Sequence, residues 1–187
     1  MTEAPAPVEL PGYAGPATRR SFRRIKLGLF LSSLAACLFV TLIGVVCTRV
    51  MMLAMGITGT AASYSMLSGS GFVGGMSGAF QLASYNFFLF FINVPAAWLA
   101  LGLSIGRFPY RGIMHRKPYL RWGSIWGAIL VGGTTGFFGT LASIPSGIGA
   151  LIGGVFIGAI AGALCGWLFH AIVKPANQLA DVDVDVF

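Results

Sequence analysis

The sequence predicts an all-α integral membrane bundle of four transmembrane helices, and three observations carry that prediction. Of the 187 residues, 56% are hydrophobic and only 9% are charged, with a mean hydropathy of +0.83. A water-soluble domain carries about a quarter charged residues. Not one Asp or Glu lies between Leu10 and Ala180; the five acids, Glu3, Glu9, Asp181, Asp183 and Asp185, all sit in the tails. The apolar runs between basic flanks are about twenty residues long, the length that a bilayer core asks of a helix.

The elements follow in chain order. Residues 1–26 read as a disordered cytoplasmic tail, rich in Pro, Ala and Gly and closed by the basic cluster Arg19, Arg20, Arg23, Arg24 and Lys26. Within it TRRSFRR (Thr18 to Arg24) resembles the twin-arginine export motif, and LAAC (Leu34 to Cys37) resembles a lipobox. The apolar run continues past Cys37 and further spans follow, so the first span is expected to stay as an uncleaved anchor. The membrane domain, 27–174, holds spans at about 27–48, 84–106, 124–143 and 149–173. Residues 175–187 form an acidic cytoplasmic tail.

Orientation follows from the Lys and Arg residues in the flanks. Five precede the first span, five more (Arg107, Arg111, Arg116, Lys117 and Arg121) fill the loop between spans two and three, and Lys174 follows the fourth. Only Arg49 falls on the other side. Both termini and the basic loop are therefore expected in the cytoplasm, in an inner or plasma membrane. Residues 50–83 are uncharged and rich in small residues. An extra crossing there would turn the basic loop outward, so a re-entrant or interfacial segment is expected, with an amphipathic or irregular outer-face cap preferred.

The inventory for chemistry is sparse, and neither an enzyme nor a cofactor is expected. His115 and His170 have no carboxylate within the membrane domain to pair with, whereas general acid–base work and hard-metal binding both need one. A soft-metal site is the one metal reading that the residues allow. Cys47, Met51 and Met55 recur every four residues, and thiolate and thioether ligands select Cu(I). The MxxxM spacing followed by a GxxxG helix is similar to the pattern of the eukaryotic copper transporter family. That family has three spans and an outer N-terminus, both unlike the arrangement expected here. The three cysteines, Cys37, Cys47 and Cys165, otherwise read as small buried hydrophobes.

Two polar features remain. Asn93 and Pro95 lie in the second span, where Pro95 frees the carbonyl of Phe91 and bends the helix while Asn93 seeks an interhelical partner. The alternating basic and aromatic loop, Arg107 to Trp122, suits anionic lipid headgroups or an acidic partner. Nucleic acid is not expected, because no binding module accompanies the basic charge.

The most specific pattern is GIGALIGGVFIGAIAGALCG, Gly147 to Gly166. A dinucleotide loop would need a preceding strand and an acid about twenty residues on, and neither is present. Gly154, Gly158, Gly162 and Gly166 instead recur every four residues and make a smooth face on a helix. Span three carries matching glycines, Gly123, Gly127, Gly132, Gly136 and Gly139. The face either packs spans three and four into a hairpin around SIPSG or receives a helix of another subunit. The expected function is a structural or accessory subunit of a membrane complex, or of a homo-oligomer. The alternative is a small channel or transporter acting as an oligomer.

Overall fold

A computed structural model describes residues 25–57, 71–111 and 113–174, less the side chains of Met55 and Ile57. The basic residues Arg19, Arg20, Arg23 and Arg24, the export-like motif and the acidic tail lie outside the described residues. The fold is all-α. Helix α1 spans Ile25–Ile57, α2 Phe72–Ser84 and α3 Phe90–Leu103. A 3-10 turn, Asn86–Leu89, joins α2 to α3. Next come α4, Arg116–Gly127, a π-turn, Ala128–Gly132, and α5, Gly133–Thr140, which together form one rod. Helix α6 spans Ile144–Val173. Three stretches are long and apolar enough to cross a membrane: Ile25–Ala54, Asn86–Leu103 and Ile144–Val173.

Several expected boundaries move. The first helix runs on to Ile57, nine residues past the expected end at 48. At 1.5 Å per residue its 33 residues exceed a hydrocarbon core of about 30 Å. Of the segment 50–83, residues 58–70 lie outside the described residues, while 50–57 and 72–83 are helical. Its first part extends α1, and its last part is the helix α2, packed between α1 and α6. The second span begins as a 3-10 turn at Asn86 rather than at 84, and ends at Leu103. The third, expected over 124–143, begins as helix at Arg116 and is divided by its π-turn, so neither helical piece alone reaches spanning length. The fourth starts at Ile144, where Pro145 suits the first turn and the Ser143 hydroxyl accepts from the Ser146 N–H at 3.3 Å. It ends at Lys174, whose φ of 43° is left-handed and whose N–H donates to the His170 carbonyl.

Packing contacts give each helix a direction. At one end, Ile25, Leu29, Leu101, Ile105, Phe108, Tyr119, Phe169 and Val173 form a single buried cluster. We call this the tail end. Further along, Val40 of α1 meets Ala83 of α2 and Ile157 and Ala161 of α6. Helices α1 and α6 are thus antiparallel. From Phe72, beside Gly149, the chain descends through α2 and α3 to the tail end at Leu101. One broken rod makes this descent, with the 3-10 turn at its joint. Helix α6 is the hub: α1, α2, α4 and α5 all pack on it.

Candidate functional site: small-residue faces and a polar joint

The hub works because α6 has two faces without side-chain bulk. On the first, a Cβ added to Gly158 would strike the carbonyl of Gly127, and one added to Gly127 would strike that of Gly158. Gly162 and Gly123 stand in the same reciprocal relation, and Gly166 faces the carbonyl of Tyr119. Backbones this close gain dispersion and weak Cα–H···O contacts that no larger residue permits. Beyond the π-turn the facing residues grow: Gly132 meets Val155 and Gly136 meets Leu151. Gly154 faces Thr135, whose hydroxyl donates to the Ala150 carbonyl of α6 at 2.9 Å. The glycine face of α6 is thus covered by α4 and α5 of the same chain. The extra residue of a π-turn shifts the phase of the helix, and the pairing changes accordingly from Gly127–Gly158 to Gly136–Leu151.

The second face escaped the sequence reading. Gly149 meets the Phe72 backbone, Gly153 meets Met76, Ala79 and Phe80, and Gly75 of α2 meets the Ser146 carbonyl. Gly149 and Gly153 are themselves four apart, a signal present in the sequence but overshadowed by the longer stripe beside it. Gly44 does the same for α1, where a Cβ would meet the backbone of Ala83 and Ser84 at 2.7 and 2.6 Å.

A polar joint sits where α2 gives way to α3. The Asn93 amide donates to Asn86 Oδ1 at 2.6 Å. The Asn86 amide in turn lies 3.4 Å from both the carbonyl and the sulfur of Cys37 on α1. Asn93 thereby reaches α1 through Asn86, while Pro95, one turn after Phe91, removes a donor from α3.

At the tail end the basic loop folds back over α6. Tyr119 is fully buried, donates from its hydroxyl to the Ile113 carbonyl at 2.7 Å and sits edge-on to Phe108. Burial pushes its phenol up to about 12. His170 Nε2 lies 3.0 Å from the Met114 carbonyl. Arg107, Arg111, Arg116, Lys117 and Arg121 are all exposed around this anchored loop.

Of the soft-metal candidates, Cys47 packs beside the Val40–Ala83–Ile157 cluster, and Met51 follows one turn on in the same helix. The side chain of Met55 lies outside the described residues. Among the described residues no group of three or more His, Cys, Asp or Glu converges. Compared with protein-family models, curated proteins and solved structures, the chain matches none.

Proposed function

We propose that this chain is a multi-pass membrane protein with four crossings, acting as a structural or accessory subunit of a membrane complex or of a homo-oligomer. The observation that carries this reading is that the polar groups of the α2–α3 joint and of the α5–α6 contact are spent on one another. Asn93, Asn86 and Cys37 bind one another, and Thr135 ties α5 to α6. Such an interior serves rigidity. The three long apolar helices supply three crossings, and the α4–α5 rod, lying along α6 over most of its length, supplies the fourth. With the basic loop and Lys174 at the tail end, that end faces the cytoplasm, where the five loop cations hold anionic headgroups.

Assembly then uses the exposed apolar sides of α1 and α3, because both small-residue faces of α6 are occupied within the chain. Purification in mild detergent followed by mass spectrometry of the co-purifying species tests this. A stoichiometric partner or a defined oligomer is expected; a lone monomer would overturn the subunit reading. The alternative, a small channel or transporter acting as an oligomer, would need the Asn86–Asn93 pair beside Pro95 to part and line a path. Ion flux in liposomes containing only this protein would establish that reading instead.

A further inference from the structure

Arg49 is the cation that the rest of the charge pattern does not account for. It lies on α1 beyond Gly44, away from the tail end that gathers the basic loop and Lys174. A charge near a membrane core is costly unless it is paired or reaches the interface. No carboxylate of this chain occurs between Leu10 and Ala180, and both acidic tails leave from the opposite end. Among the described residues no carboxylate can serve as a counter-charge to Arg49.

The surroundings of Arg49 are built to hold one. A cleft of about 330 Å³ opens between α1 and α2, lined by Val45, Thr48, Arg49 and Met52 on one side and Gln81, Ser84 and Tyr85 on the other. The first four residues fall on one stripe of α1, and the other three on one stripe of α2. The helices touch at Gly44, where Ala83 and Ser84 press on the bare backbone, and separate beyond it where the side chains are larger. The Ser84 hydroxyl is used on the Gln81 backbone carbonyl at 2.6 Å, and the Gln81 side-chain amide is a further donor group at the cleft wall. Guanidinium and amide donors around one cleft suit a tetrahedral oxyanion. Val45 and Met52 give the same cleft an apolar flank.

We propose that this cleft binds a phosphate group, with Arg49 as its counter-charge and Gln81 as a neutral donor. The apolar flank matches the glycerol end of a phospholipid, so the lipid of the adjoining leaflet is the expected source. The inference rests on the membrane reading above, which carbonate extraction tests separately: a protein that stays in the membrane but fails to bind lipid sinks only the site.

The test is native mass spectrometry of the full chain in detergent, titrated with phosphatidylglycerol or phosphatidylcholine. The variants are Arg49→Gln, Gln81→Leu and, as a control outside every proposed headgroup site, Phe156→Leu. One phosphatidylglycerol is expected to bind about fivefold or more weakly to Arg49→Gln, with a smaller loss for Gln81→Leu and none for Phe156→Leu. Displacement by millimolar inorganic phosphate would assign the site to free phosphate, and resistance to it would assign the site to the lipid; both outcomes support a phosphate site. Equal binding by the wild type and Arg49→Gln would overturn the proposal. If Arg49→Gln does not accumulate, unchanged binding by Gln81→Leu overturns it instead.

Discussion

Tyr119 shows how single residues hold the tail end together. Its ring is sealed among Phe108, Phe169 and His170, and its hydroxyl is spent on the loop that it anchors. The fold favours the protonated phenol, because burial lifts its pKa from the ordinary 10 to about 12. Its contribution is therefore complete below about pH 10 and is lost as pH rises through about 12. Thermal unfolding in detergent should show an alkaline step over that window, and Tyr119→Phe should remove this part of it while costing about 1 kcal/mol at neutral pH. Thr135→Val isolates the single hydroxyl bridge between α5 and α6 and should cost about 1–2 kcal/mol, read from the same melts. A variant as stable as the wild type would mean that the bridge contributes nothing.

The helices differ in how much of each was legible beforehand. The α6 pattern was the clearest, because repeating glycine at every fourth residue leaves a helix only one use, close approach by another helix. For its partner the sequence offered both span three, where Gly123 and Gly127 repeat at the same interval, and a helix of another subunit; Gly127 lies against Gly158 and Gly123 against Gly162. The joint between α2 and α3 was not legible. Residues 72–84 are mostly small and too few to cross a membrane alone, so no spanning run stands out, although Gly75, Ala79 and Ala83 recur every four residues. Their helicity comes from burial of Gly75, Ala79 and Ala83 against neighbours that the sequence does not identify. The π-turn was equally hidden, because its residues, AILVG, differ in no way from ordinary apolar helix.

Two predictions belong at this scale. Gly158→Leu or Gly127→Leu would push side chain into facing backbone, which should cost about 3 kcal/mol or more and break the hairpin. Phe156→Leu changes an exposed side chain on the same helix and should leave it intact. Limited proteolysis in detergent would separate these outcomes; a Gly158→Leu protein as resistant as the wild type would refute the packing account.

For the molecule as a whole, the central claim is that both tails and the basic loop share one side of a membrane and that Arg49 lies toward the other. Composition predicts the membrane class, and three helices are long and apolar enough to cross; the orientation is proposed from charge placement alone, while the order of contacts along α6 ties each described segment to one end of the bundle. Impermeant maleimide labelling of single cysteines in sealed vesicles measures this most directly, starting from a chain with Cys37, Cys47 and Cys165 replaced by Ala. Tyr110→Cys and Leu141→Cys are suitable probes, since both positions are exposed and lie at opposite ends of the α4–α5 rod. The account predicts that Tyr110→Cys labels only from the cytoplasmic side and Leu141→Cys only from the opposite side. Labelling of both positions from the same side would contradict it.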